Sequence, residues 1–365
     1  MYAPRPNSMR ILYAETSAYA PSSAHFLEAL EGMAARGECE FTFFDEAGYL
    51  HPPRSIGARI AQRVVGHPAG YRAFNAAFVA EARRTAPDLV LVGKGAYFSA
   101  ATLRRVRDAT GAAMVNWASD DPFNPASSTR DLIESIPLYD LYVCTKRAVM
   151  DDVIGAGCAR AIYVRFGYKP TLHFPEPPAT AEEHHRFDCD VMFIGGGDAD
   201  RVPYFETLVR TLPGLRLNLY GGYWDRYSSL RSYWRGNATG RDFRLAVGGA
   251  KICVNLVRRA NRDDHVMRTF ELPACGGFML AERTGAHQEL FVEDREAAFF
   301  STPDELAAKV SLWLVRGDDR RALARAAHRR ISEGRNTYAG RLDEILAAAA
   351  AVQPNRDLRE AASSE

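Results

Sequence analysis

Between Lys251 and Arg283 the chain reads KICVNLVRRANRDDHVMRTFELPACGGFMLAER, and this stretch constrains the fold more than any other. A buried strand (Ile252 to Val257) leads through a polar loop and a short helix to a glycine turn and a second buried strand (Phe278 to Ala281). On that helix Asp264, Met267, Arg268 and Glu271 are expected to share a stripe, because positions three, four and seven apart align. Cys275-Gly276-Gly277 closes it. Such a unit places a carboxylate and free backbone N–H groups at the edge of a sheet, where α/β proteins bind nucleotides. The carboxylate can accept both hydroxyl hydrogens of a ribose, and the glycines let the backbone approach a phosphate. The plainer alternative is a solvated Arg–Glu pair beside an ordinary glycine C-cap.

Strands and helices alternate through the rest of the chain, which argues for parallel sheets with helices on both faces. Expected strands are Arg10 to Tyr13, Glu40 to Phe44, Asp88 to Gly93, Ala113 to Trp117, Leu141 to Cys144 and Ala161 to Val164. After a stretch rich in proline, with no periodicity, they resume at Asp190 to Ile194 and Leu215 to Tyr220. The organisation expected is therefore an N-terminal domain over 1–170, a linker over 171–187 and a C-terminal domain over 188–338. A last helix over 339–352 and a disordered tail over 353–365 follow.

A chain of 365 residues suits two domains of ordinary size. Its net charge of +1 offers no basic excess for a nucleic-acid partner. Cys39, Cys144, Cys158, Cys189, Cys253 and Cys275 are scattered without a C-x-x-C pair and read as reduced, buried thiols. No metal-ligand cluster, signal peptide or bilayer-spanning segment is recognisable, so a cytoplasmic protein is expected.

Other constellations carry possible chemistry. Gly195-Gly196-Gly197 ends a strand just before a helix, an arrangement that cradles phosphate, and Arg201 could neutralise a diphosphate. It is a poor dinucleotide fingerprint, because Asp200 stands where a third glycine belongs. That counts against a nicotinamide-dependent oxidoreductase. Asp120 and Asp121 follow a buried strand, where crowding of like charges can raise a pKa toward general-base work. Against this, an Asp before Pro often caps a turn. His25 is a candidate acid or base, although a lone histidine is more often structural. Arg54, Arg59, Arg63 and Arg72 interleave with apolar residues in a stretch that could lie on an anionic membrane, or be simply a solvated amphipathic helix.

The run Arg268-Thr269-Phe270-Glu271-Leu272-Pro273-Ala274-Cys275-Gly276-Gly277 resembles the signature of CgeB-like (spore-maturation-like) GT-B glycosyltransferases, a branch related to the retaining E-x7-E family. Matches in order along both halves, among them Asn116-Trp117, Arg165-Phe166-Gly167-Tyr168 and Asn336-Thr337-Tyr338, extend the resemblance over nearly the whole chain. It implies two Rossmann-like domains facing each other across a cleft, with transfer from a nucleotide-diphosphate sugar, UDP- or GDP-linked, to a polysaccharide, protein or small-molecule acceptor. No metal is implied. By the resemblance Glu271 holds the ribose, Asp263 contacts the donor sugar, and Arg268 lies in the binding motif. Gly276 and Gly277 offer N–H groups to the diphosphate, which Arg201 and the Gly195-Gly196 turn also meet. Asp120 and Asp121 form the acceptor-side pair. Pro273 is expected to distort the helix just past Glu271, and Asn336 replaces a histidine of the family pattern. A catalytically silent sugar-nucleotide-binding or assembly protein on the same fold is the alternative.

Overall fold

The computed structural model describes residues 8–17, 21–51, 55–57 and 66–352. Arg54, Arg59 and Arg63 of the basic stretch, and the tail over 353–365, lie outside the described residues. Packing divides the chain into two units. One is built from residues up to Arg165 together with the stretch from Tyr338 onward; the other is Phe166–Thr337.

The first unit holds a six-stranded parallel sheet of β1 (Met9–Glu15), β2 (Cys39–Asp45), β3 (Leu89–Gly93), β4 (Ala113–Ala118), β5 (Leu141–Cys144) and β6 (Ala161–Tyr163). Its order is β2-β1-β3-β4-β5-β6. The central strands β3 and β4 are buried along their whole length, as unbroken apolar runs such as LVLVG require when both faces are covered. Between the helix Tyr71–Thr85 and the sheet, Phe44, Phe74, Phe78 and Phe98 interlock, with Phe78 and Phe98 centroids 4.5 Å apart. Truncating one such buried ring typically costs about 3–5 kcal/mol. The chain adds β2 on one side of β1 and then crosses to add β3 on the other. The carboxyl ends of β1 and β3 therefore flank the topological switch point, where open α/β sheets bind ligands.

The last helix, Tyr338–Ala350, packs on the helix Pro21–Ala35 of this first unit. The Tyr338 ring sits 4.8 Å from His25 and edge-on to Phe26. His25 is thereby buried as part of a ring cluster.

In the second unit β7 (Cys189–Ile194), β8 (Leu217–Tyr220), β9 (Ala250–Asn255), β10 (Met279–Glu282) and β11 (Ala298–Phe300) form a five-stranded parallel sheet in the order β11-β10-β9-β7-β8. Here the switch point lies between β7 and β9. Two features differ from expectation. The edge strand β11 is three residues long, too short to leave an apolar period in the sequence. The segment 171–187 contains a helix, Ala181–Phe187, where only aperiodic chain was expected. Its signal was a capping box: the Thr180 hydroxyl accepts the Glu183 N–H while the Glu183 carboxylate accepts the Thr180 N–H. Arg241 bridges Glu176 and Glu183, and Arg244 holds Glu176 at 2.6 Å, so the segment is fastened to the helix Arg241–Gly249.

All six cysteines are buried and unpaired. Among the described residues, no helix is long and apolar enough to cross a membrane.

Candidate functional site

At the β7/β9 switch point the second unit gathers cationic side chains. The helix Val202–Thr211 follows β7, and Arg201 at its N-cap folds back so that Nη1 donates to the Gly196 carbonyl at 3.0 Å. Asp198 lies 3.5 Å away. Burial pulls the Arg201 pKa below the ordinary guanidinium value, the positive fields of Arg258 and Arg268 act the same way, and Asp198 and Asp263 oppose them. Arg201, Arg258, Arg268 and Asp263 thus share one electrostatic neighbourhood. The Nε atoms of Arg201 and Arg268 are shielded from solvent and donate to no group among the described residues. A buried, unmade donor on a charged side chain is costly, and this neighbourhood holds two.

Glu271 is the carboxylate of this neighbourhood. Its side chain is 3% exposed, with Oε2 held by Arg268 one turn earlier and Oε1 3.6 Å from His173 Nε2. The alternative of a solvated Arg–Glu pair is thereby excluded. The helix that carries it, Arg268–Ala274, begins after Met267, so Asp264 precedes it and does not join the expected stripe. Instead Asp264 Oδ1 meets His265 Nδ1 at 2.7 Å, and His265 Nε2 accepts the Phe166 N–H at 3.1 Å. Asp263, half-buried, receives Asn261 Nδ2 at 2.9 Å. A buried network positions the helix itself: the Thr269 hydroxyl is shared with Asn255 Nδ2 and His287 Nε2, while His287 Nδ1 meets the Glu282 carbonyl.

Pro273 does not distort this helix, which runs on to Ala274 with the Cys275 N–H bonded to the Glu271 carbonyl. The proline occupies the last turn, where only one backbone bond is forfeited, and its carbonyl meets His328 Nδ1 at 3.0 Å.

The glycine pair needs a larger correction. The Gly276 N–H bonds to the Pro273 carbonyl and the Gly277 N–H to the Leu272 carbonyl, with Gly276 at φ +79. This is a Schellman closure, and both N–H groups expected to meet a diphosphate are spent on it. They also lie at the negative end of the helix, the wrong end for an anion. Gly277 is required by packing: an added Cβ would stand 2.7 Å from Val247 and 2.9 Å from the Cys253 sulfur. Much of the Gly195-Gly196-Gly197 turn is likewise committed, since the Gly195 and Gly197 N–H groups bond to Tyr220 and Gly222 carbonyls and Trp224 Nε1 bonds to the Gly195 carbonyl. Only its middle residue faces Arg201 through a backbone contact.

The first unit separates its two aspartates. Asp120, about one-third exposed, pairs with Lys94 Nζ at 2.9 Å. Asp121 is buried and its Oδ1 accepts the Phe123 N–H at 2.9 Å, so it caps the turn beyond β4. Sequence reasoning missed two carboxyls here. Glu15 ends β1 and Glu46 follows β2, both buried, and the register sets Glu15 opposite Asp45. Glu15 packs so closely on β3 that a Cβ at Gly93 would stand 2.3 Å from its carboxyl. Burial pushes the Glu15 pKa up to about 7, with Asp120 adding to the rise while the Tyr13 hydroxyl and Lys94 oppose it. Burial, then Glu15 and Asp45, push Glu46 up to about 8 against Lys94. Nothing in a single sequence marks these two, because their burial comes from pairing strands far apart in the chain.

Comparisons with known proteins bear on the same residues. Residues 201–347 match the family model described as glycosyl transferase-like. No curated protein matches the chain by sequence. Among solved structures, HepE from Anabaena in complex with UDP-glucose is 12% identical with a TM-score of 0.64, the match covering 94% of this chain and all of that one. Sucrose-phosphate synthase from Thermosynechococcus elongatus is 15% identical with a TM-score of 0.65, over 92% of this chain and 97% of that one. The lipopolysaccharide outer core galactosyltransferase WaaB is 11% identical with a TM-score of 0.54, over 93% and 99%. At these identities the likeness establishes the fold, the GT-B architecture of two parallel-sheet Rossmann-like domains.

Proposed function

We propose that the chain is a glycosyltransferase of the CgeB-like branch that moves a hexosyl group from a nucleotide-diphosphate sugar to an acceptor. The observation that carries this reading is the buried Glu271 carboxylate beside a cluster of Arg201, Arg258 and Arg268. The cluster sits at the switch point of the second sheet, in the segment that matches the glycosyl transferase-like family. Glu271 accepts the ribose hydroxyls. The unmade Nε donors of Arg201 and Arg268 are directed to the diphosphate, whose charge grows as its bond to the anomeric carbon breaks. Asp263, in the same neighbourhood, meets the donor sugar. Guanidinium groups carry the diphosphate charge in this reading, so transfer proceeds without a bound metal. Binding and orientation supply most of the rate.

UDP is the favoured nucleotide, since HepE is seen with UDP-glucose. The acceptor, a glycan, protein or small molecule, belongs to the N-terminal domain, where Asp120 is the solvent-facing carboxylate of the expected pair. A peripheral membrane contact through the stretch around 54–72 is part of the same proposal, tested by sedimentation with anionic vesicles.

The decisive experiment is calorimetry with UDP and GDP, followed by donor turnover in the presence and absence of EDTA. Binding of UDP, with EDTA-resistant hydrolysis or transfer of UDP-glucose, is expected. Binding without any turnover would favour the silent sugar-nucleotide-binding protein, and no binding at all would overturn the donor site.

A further inference from the structure

We propose that His173 is a positioning residue for Glu271, fixing the carboxylate in the orientation that receives the donor's ribose. The inference rests on the ribose role given to Glu271 above. Both side chains are almost fully buried, at 5% and 3% exposure, with His173 Nε2 facing Glu271 Oε1 at 3.6 Å.

The tautomer follows from the other ring nitrogen. The Lys169 backbone N–H donates to His173 Nδ1 at 3.1 Å, so Nδ1 is an acceptor and the neutral ring carries its proton on Nε2. Nε2, which carries that proton, lies 3.6 Å from the Glu271 carboxylate. Burial holds the His173 pKa below its ordinary value, Glu271 opposes the shift, and Arg268, Lys169 and Arg244 reinforce it. A neutral ring this close fixes the carboxylate by packing and by its N–H dipole without adding a positive charge that would compete with a ligand.

The ring is itself held. Leu172 and His173 donate their N–H groups to the Lys169 carbonyl, forming a tight turn. Arg244 clamps that turn through the Leu172 carbonyl, the Glu176 carboxylate and the face of Phe174. The His173 ring also stands edge-on to Phe243, over which the Arg268 guanidinium lies. Arg268 thus holds one oxygen of Glu271, and the His173 ring faces the other. A carboxylate held in this way loses little rotational freedom when the donor binds.

The test compares UDP with 2′,3′-dideoxy-UDP in calorimetry on the full chain, using wild type, His173→Ala and His173→Gln. Wild type should prefer UDP. His173→Ala should weaken UDP about tenfold while barely changing dideoxy-UDP, and His173→Gln, whose amide can donate in place of Nε2, should recover most of the loss. Equal loss for both nucleotides in His173→Ala would mean a merely structural role and overturn the proposal, as would no loss for either. Wild-type protein that does not distinguish the two nucleotides, or binds neither, would instead remove the ribose role of Glu271.

Discussion

The switch points of the two sheets hold opposite chemistry on the same scaffold. Beyond β1 and β3 of the first unit lie Glu15, Glu46 and Asp120 around Lys94. Beyond β7 and β9 of the second lie Arg201, Arg258 and Arg268 around Asp263 and Glu271. Crowding of like charges raises the free energy of the ionised state at each edge, and each unit meets that cost differently. Carboxyls can take up protons, and Glu15 and Glu46 are pushed to about 7 and 8. Guanidiniums stay charged across the physiological range, so they must find an anion. In the proposed reading the second edge awaits a polyanion, whereas burial at the first holds protons on its carboxyls near neutrality.

The comparison breaks most readily at Glu271. Glu271→Ala should cost about 100-fold or more in UDP affinity, since two charge-assisted bonds are lost, with circular dichroism unchanged. Unchanged affinity would sink the assignment. Arg201→Ala should lower UDP affinity about 10- to 100-fold and leave uridine affinity alone, because only the phosphates need the cation. An equal loss for uridine would show that Arg201 shapes the site rather than meeting charge.

On the acidic side the effect is one of stability. Glu46 has a folded pKa of about 8 against an ordinary 4.5, so its contribution to stability is full below about pH 4.5 and is lost as pH rises through 8. Glu46→Gln should therefore flatten the decline in thermal stability between pH 5 and pH 9, by about 4 kcal/mol at the alkaline end. A decline as steep as that of wild type would refute the burial argument. The smallest effect is expected at Asp120. Its bond to Lys94 joins two side chains that are each about one-third exposed, so Asp120→Asn should cost less than about 1 kcal/mol in urea unfolding. A large fall in turnover at such small cost in stability would mark Asp120 as part of the acceptor chemistry.

Most of the fold was legible because its signal is local. β3 is an unbroken apolar run, and a doubly covered strand has no other way to be written. The Arg268–Glu271 pair was legible for the same reason, being set by helical spacing alone. What escaped is non-local or ambiguous. Gly276-Gly277 reads alike whether it cradles phosphate or closes a helix, and only the partners of its N–H groups decide. His173 lies in a stretch whose prolines suggested a linker, and its significance depends on Glu271, far along the chain. Glu15 and Glu46 are ordinary surface residue types until β1, β2 and β3 pair around them.

The return of the helix Tyr338–Ala350 to the first unit has a consequence for biosynthesis. The second unit is one continuous stretch, Phe166–Thr337, and is wholly available before that helix is made. The first unit starts earlier yet lacks its partner for the helix Pro21–Ala35, and the ring that covers His25 and Phe26, until Tyr338 and the residues after it leave the ribosome. The domain that begins first is therefore completed last, so its unfinished apolar face spends the longer time within reach of chaperones and proteases.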